Sequence, residues 1–276
     1  MIRSELAIFD LATGRAETIL ATDRLVEAPN WLPDGSGLLV NADGGLFRVP
    51  FANPTLQLLG TGRHRALNND HGPSPDGRWI AFCDKTDMPD SCIYLMPAAG
   101  GPTRRLTAAT PSWFHGWMPD GQSLLYTAVR GGAFGIFTIP IDGTERCIVT
   151  GPGHHDGPDA TPDGQWVWFN ADRTGSMALW RVRPDGSACQ AMTTDDRVNW
   201  FPHPSPCGRH VLYLSYDSGT HGHPRDLPVE LRLMPAAGGA AQTLLSLFGG
   251  QGSLNVPCWS PDARRFAFVR YRPVVA

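Results

Sequence analysis

The sequence predicts an all-β fold, a six-bladed β-propeller with four-stranded blades, on three observations. A short phrase recurs six times: Leu32-Pro33-Asp34-Gly35, Ser74-Pro75-Asp76-Gly77, Met118-Pro119-Asp120-Gly121, Thr161-Pro162-Asp163-Gly164, Ser205-Pro206-Cys207-Gly208 and Ser260-Pro261-Asp262-Ala263. Its prolines fall 42, 44, 43, 44 and 55 residues apart, a period that matches one propeller blade and not a helical solenoid of about 33 or 34 residues. The two chain ends supply complementary halves of one further blade.

At the N-terminus, Glu5-Leu6-Ala7-Ile8-Phe9-Asp10 and Ala16-Glu17-Thr18-Ile19-Leu20 flank Thr13-Gly14 and read as an outer strand pair without an inner pair. Within a full unit, residues 68–107 show the pattern. Arg78-Trp79-Ile80-Ala81-Phe82-Cys83 is a strand by its β-branched and aromatic content, and Pro75-Asp76-Gly77 before it turns strand a into strand b, proline fixing φ and glycine tolerating positive φ. Cys92-Ile93-Tyr94-Leu95-Met96 is strand c, and after Ala98-Ala99-Gly100-Gly101 the more polar Thr103-Arg104-Arg105-Leu106-Thr107 is strand d. The outer hairpins elsewhere turn at Asp142-Gly143, Asp185-Gly186 and Gly238-Gly239, and most weakly at Asn53-Pro54. At the C-terminus, Cys258-Trp259-Ser260 and Arg265-Phe266-Ala267-Phe268-Val269 form an inner pair without an outer one. Together the ends close a sixth blade, N-terminal strands outside and C-terminal strands inside, which leaves no half-blade with open edges. One propeller domain over residues 1–276 is the expectation.

Composition narrows the function. The formal net charge is −3, and the 23 basic residues include a single lysine, Lys85, without the clustering that tracks a phosphate backbone. No nucleic-acid partner is therefore expected. No segment reaches 18 apolar residues and the N-terminus shows no leader pattern, so the expectation is a cytoplasmic protein, or a periplasmic one if a leader has been removed. The cysteines Cys83, Cys92, Cys147, Cys189, Cys207 and Cys258 show no metal-knuckle spacing and are read as buried thiols.

In an up-and-down blade the a-to-b turns mark one side of the disc, so the Pro-Asp-Gly phrases mark a silent face and function belongs on the opposite rim. Seven of the nine histidines map to that rim. His71 and His115 stand four residues before their proline, His203 three, and His154 and His155 eight and seven; His221 and His223 sit in an enlarged b-to-c loop, residues 217–226. A second insertion, residues 248–255, lies on the same face. Convergent imidazoles with amide oxygens suit a divalent metal such as Mn, Fe, Ni or Zn: His71, His115, His155 and His203 are the candidate ligands, with Gln251 and Asn255 as oxygen donors. Asp156, Asp172 and Asp217 are candidates to orient the imidazoles. Trp31, Trp113, Trp117 and Trp200 crowd the starts of inner strands, where one or two could stack on a sugar ring.

The repeated phrase, preceded by tryptophan in Trp259-Ser260-Pro261-Asp262, resembles the PD40 repeat of the TolB-like six-bladed propellers, and the likeness covers the whole chain. Phe201-Pro202-His203-Pro204-Ser205-Pro206, with the histidine-rich rim, is similar to the oligogalacturonate lyases, propellers that act on uronide sugars with a histidine-bound metal. That resemblance implies carbohydrate lyase chemistry: Arg130, Arg173 and Arg225 would hold a sugar carboxylate, and His154 or His223 would be the general base. The sequence thus leaves two readings, a small polar, sugar-derived acidic ligand at the rim with metal-assisted lyase chemistry, or a non-catalytic scaffold for a protein partner.

Overall fold

The structure, a computed structural model, describes residues 2–273. Strands β1 (Ile2–Asp10) and β2 (Arg15–Thr22) open the chain. Blade one then holds β3 (Val26–Trp31), β4 (Gly37–Ala42), β5 (Gly45–Pro50) and β6 (Gln57–Leu59). Blade two holds β7 (Leu67–Pro73), β8 (Trp79–Asp84), β9 (Cys92–Pro97) and β10 (Arg104–Arg105), and blade three β11 (Ser112–Trp117), β12 (Ser123–Arg130), β13 (Ala133–Pro140) and β14 (Arg146–Thr150). Blade four follows with β15 (His155–Ala160), β16 (Val167–Ala171), β17 (Ala178–Val182) and β18 (Gln190–Ala191), then blade five with β19 (Val198–Pro204), β20 (His210–Tyr216), β21 (Leu227–Pro235) and β22 (Gln242–Gly249). Each is an antiparallel meander whose first strand is innermost, the expected six-bladed propeller.

The sixth blade joins β2 and β1 to the last strand, β23 (Arg265–Pro273), with β1 and β23 in register from Ile2↔Pro273 to Asp10↔Arg265. Its innermost strand is reduced to one bridge, Trp259↔Phe266, extended by the bonds from Ala267 N to Cys258 O and Ser260 N to Arg265 O. Across the closure Glu5 accepts from Arg270 Nε at 2.6 Å and Arg272 Nε at 2.5 Å. Burial works against charge on this carboxylate, but the two guanidiniums outweigh it and hold its pKa below the usual value.

The repeated turns are built by side chains as well as by proline. In Ser74-Pro75-Asp76-Gly77, Asp76 Oδ1 accepts from Ser74 Oγ at 2.6 Å and from Arg78 N at 3.0 Å, while Ser74 Oγ takes Trp79 N at 3.0 Å. Asp163 and Asp262 repeat these bonds with Thr161 and Ser260. The local sequence thus folds its own turn, an Asx-type cap that needs no tertiary partner. Cys207 takes the aspartate's place in blade five and is exposed, as is Cys147, and Cys189 is half-buried, so three of the six thiols depart from the buried expectation.

A β-bulge interrupts each innermost strand of the five complete blades, between Glu27 and Asn30, Leu67 and His71, Phe114 and Gly116, Asp156 and Asp159, and Trp200 and His203. Bulges insert an extra residue and re-aim the side chains that follow. His71, His115, His155 and His203 belong to inner strands and not to the loops entering them. The two insertions pack on one another: Tyr216 Oη and Gln251 N donate to Pro224 O at 2.7 and 3.4 Å.

His71 has a measurable consequence for stability. It is fully buried between blades one and two, near the backbone of Ala28, Leu39 and Asn69, and neither ring nitrogen has a well-formed hydrogen bond. Burial therefore keeps the ring neutral and pushes its pKa down to about 4. A depressed histidine contributes stability above its unfolded value of about 6.5 and loses it as pH falls toward the folded value, about 3 kcal/mol in all. In urea titrations at pH 7.5 and 4.5, a His71→Met variant should lose about 2–3 kcal/mol less than the unchanged protein. Equal losses in the two would show that His71 does not drive the acid transition.

Candidate functional site

The channel opens, on the face opposite the Pro-Asp-Gly turns, into a cavity of about 220 Å³. Its polar lining is Asp70, His115, Thr127, His154, Asp156, His223 and Gln251, and its aromatic wall is Trp113 and Phe134. Asp156 is the hub. Its Oδ1 lies 2.9 Å from His115 Nε2 and accepts from Thr127 Oγ1 and from Gly157 N, both at 2.8 Å. Its Oδ2 faces His154 Nε2 at 3.6 Å and His223 Nε2 at 3.9 Å. Gly157 is required beside it: its φ is +62°, and a Cβ there would meet Asn170 Oδ1 at 2.7 Å and the Phe201 ring at 3.0 Å.

The charges follow from these partners. Burial opposes charge on Asp156, but His115 and then His154 outweigh it and hold the carboxyl well below its ordinary range. Burial likewise opposes charge on His115, and Asp156 with Asp70 reverses the balance and raises its pKa. The geometry agrees, since His115 Nδ1 faces Asn255 O at 3.4 Å and both nitrogens therefore point at acceptors, as an imidazolium requires. Asp70 is pushed up to about 6, chiefly by burial and against the pull of His115; Asn255 Nδ2 donates to it at 2.7 Å. His223 is held below its ordinary value by burial despite Asp156, and its ring packs on Trp200 at 4.4 Å. The cavity thus offers one fixed anion, one cation, a carboxyl that titrates near neutrality and uncommitted imidazole edges.

Of the residues expected from the sequence, His115, His154, His223 and Gln251 meet here and Asn255 braces Asp70. The four-histidine metal shell is not assembled. His71 is turned between blades; His155 accepts from Arg173 Nε at 2.8 Å and packs on Phe169; His203 sits farther along the channel with Asp159 Oδ2 at 3.1 Å and Leu254 O at 3.3 Å. Burial, then Arg173, pushes His155 down to about 4. Among the described residues, no group of three or more His, Cys, Asp or Glu side chains has metal-holding geometry. The arginines are also committed elsewhere: Arg130 clamps Glu145 with Nε–Oε1 2.9 Å and Nη2–Oε2 2.8 Å, Arg173 holds His155, and Arg225 pairs with Asp226 at 3.0 Å. Asp172 Oδ1 accepts from His154 N at 2.7 Å and so positions that histidine through its backbone, whereas Asp217 lies apart on Arg197. Sequence reasoning missed Asp70, Thr127 and Phe134. The doublets Asp70-His71 and His155-Asp156 carried a signal, because successive strand residues point to opposite faces and only one of each pair can face the channel.

The fold is that of a TolB-like propeller, and the chain belongs to that family. It is 47% identical over 275 residues, 99% of this chain and 94% of the other, to the uncharacterized protein Atu1656 of Agrobacterium fabrum. The solved structure of a TolB-like protein from Agrobacterium tumefaciens superposes with a TM-score of 0.97 at 47% identity, covering 99% of this chain and all of that one. The Tol-Pal system protein TolB of Francisella tularensis is 25% identical over 93% of this chain, which spans 59% of that protein. TolB from Acinetobacter baumannii, at 17% identity and TM-score 0.69, covers 90% of this chain and 64% of its own. An oligogalacturonate lyase solved with manganese shares the fold at 14% identity and TM-score 0.58, covering 89% of this chain and 74% of its own. No protein-family model matches the chain. Among the described residues no helix is long and apolar enough to cross a membrane.

Proposed function

We propose that the chain is a ligand-binding TolB-like propeller whose channel mouth recognises a small hydroxyl-rich molecule of the sugar class. The observation that carries this reading is the convergence of Asp156, His115, His154 and His223 on one cavity beside Trp113 and Phe134. Carboxylates and imidazoles exchange hydrogen bonds with hydroxyls, and an aromatic wall suits the apolar face of a sugar ring. At about 220 Å³ the cavity lies below the roughly 300–1,000 Å³ of pockets for drug-sized ligands, which favours a single ring over an oligomer.

The acidic ligand and lyase chemistry implied by the oligogalacturonate lyases fit less well. Among the described residues no guanidinium lines the cavity, and its one cation, His115, is already paired with Asp156, so a uronide carboxylate would meet Asp156 without a bidentate clamp. His154 and His223 remain as bases for any proton transfer. A divalent metal is no part of this reading, since the histidines expected to hold it face four different surroundings.

Isothermal titration with neutral monosaccharides, uronic acids and oligogalacturonides tests the proposal. A neutral monosaccharide should bind saturably, and Asp156→Asn should weaken it at least about tenfold, the order expected for losing a hydrogen bond to a charged group. The proposal fails if every saccharide is silent, or if Asp156→Asn leaves the affinity unchanged. A protein-binding propeller is the second reading, favoured by the match to the Tol-Pal system protein, and would be supported by binding of a Tol-Pal component after the saccharides fail.

A further inference from the structure

The channel is hollow at both ends, and the two ends differ in chemistry. At the Pro-Asp-Gly end, expected to be silent, the six turn prolines ring a cavity of about 380 Å³. The carboxylate that lines it, Asp159, is held by His203 Nδ1 at 3.1 Å and Ala160 N at 2.9 Å. At the mouth, by contrast, Asp156 Oδ2 stands between two imidazole nitrogens at longer range, His154 Nε2 at 3.6 Å and His223 Nε2 at 3.9 Å. Both lie beyond hydrogen-bond distance of it, and the two side chains keep 29% and 25% of their surface open. Their edges can therefore meet a ligand.

Both rings are braced from behind. Phe134 lies 4.2 Å from the His154 ring and Trp200 4.4 Å from the His223 ring, centroid to centroid, and Asp172 Oδ1 takes His154 N at 2.7 Å. The two imidazole centroids are 6.5 Å apart. Two fixed imidazoles on either side of one carboxylate suit a reaction in which a proton leaves one atom while another arrives close by. A pyranose offers such a pair of atoms. Its anomeric hydroxyl and its ring oxygen are bonded to the same carbon, so imidazoles flanking that carbon can reach both at a hydrogen-bond distance of about 2.8 Å.

Resting on the monosaccharide reading above, we propose that the mouth interconverts the anomers of an aldose, with His223 as base toward the anomeric hydroxyl and His154 as acid toward the ring oxygen. On ring opening the anomeric hydroxyl gives its proton to His223 and its oxygen becomes the aldehyde carbonyl. The bond from the anomeric carbon to the ring oxygen breaks, its electron pair stays on that oxygen, and the oxygen takes a proton from His154. The carbonyl turns about the adjoining carbon–carbon bond, and the same steps in reverse close the ring on its other face and return both protons. Atoms and electrons balance without a co-reactant. Asp156, at similar distances from both nitrogens, steadies the positive charge whichever imidazole carries it. Burial holds His223 below its ordinary value, which keeps it neutral and able to accept at pH 7.

Polarimetry on freshly dissolved α-D-glucose, α-D-galactose and α-D-xylose, with calorimetry on the same sugars, tests this on the full chain. At least one sugar that binds should reach anomeric equilibrium at a rate proportional to protein concentration, and its methyl glycoside, which has no free anomeric hydroxyl, should inhibit. His154→Gln and His223→Gln should each lower that rate about 100-fold or more, the usual worth of a positioned acid or base, while the sugar still binds. Binding without acceleration, or acceleration that survives both substitutions, would overturn the catalytic assignment and leave the sugar site standing. Silence in both measurements would overturn the two together. If a variant fails to fold, the rate of the unchanged protein and its inhibition by the methyl glycoside decide the matter.

Discussion

Deleting residues 2–22 should abolish cooperative folding instead of trimming stability in proportion to length. Strand β1 fills the gap between β23 and β2, and Leu6, Ala7 and Phe9 are buried in the packing clusters on both sides of the sixth blade. Truncating Leu6 and Phe9 alone to alanine would cost about 2–5 and 3–5 kcal/mol, and a domain holds about 5–15 kcal/mol in total. The deletion removes both, severs the Glu5 pairs with Arg270 and Arg272, and leaves β23 with an open edge. Circular dichroism melts should show no sigmoidal transition, and peptide 2–22 added in trans should restore one. A truncated chain that melts cooperatively within about 5 °C of the full one would refute closure by these strands.

Asp156→Ala should destabilise the protein by about 3–5 kcal/mol, because it leaves the His115 imidazolium buried without its counter-ion. Asp156→Asn separates charge from hydrogen bonding, since an amide oxygen can still take Thr127 Oγ1 and Gly157 N. The pH dependence has a definite sign. Asp156 is depressed, so its contribution is present above about pH 4 and lost as pH falls through its folded value. His115 is raised, so its contribution is full below about pH 6.5 and lost as pH rises through its folded value. The pair therefore stabilises most between these limits, and the Asn variant should lose most there. Without the carboxylate, burial dominates His115 and its pKa should drop below the ordinary 6.5. Histidine NMR titrations read this directly; a His115 pKa unmoved by Asp156→Asn would mean that the hub does not set the charge of the site.

The blade count, the turns and the closure were legible because each is written locally. A Ser-Pro-Asp-Gly turn satisfies its own hydrogen bonds within five residues, as Ser74, Asp76, Arg78 and Trp79 do. The site was legible only as a collection of candidates. Sequence placed His115, His154, His223 and Gln251 at the right end of the channel, but it put His71 and His155 beside them, and the strand pleat turns those two away in favour of Asp70 and Asp156. A bulge compounds the difficulty. Asp156 and Asp159 are three apart, which in a regular strand means opposite faces, yet the inserted residue lets one line the upper cavity and the other the lower.

The sequence by itself determined the architecture, since short-range turn chemistry repeated at a fixed period leaves one way to close a ring of sheets. Only the tertiary structure decided which side chains share a cavity, which arginines are spent on neighbours, and that the proline face is hollow. Those outcomes depend on contacts between blades about forty residues apart, and on bulges that reset the facing of an inner strand. Neither leaves a mark in the spacing of residues along one blade.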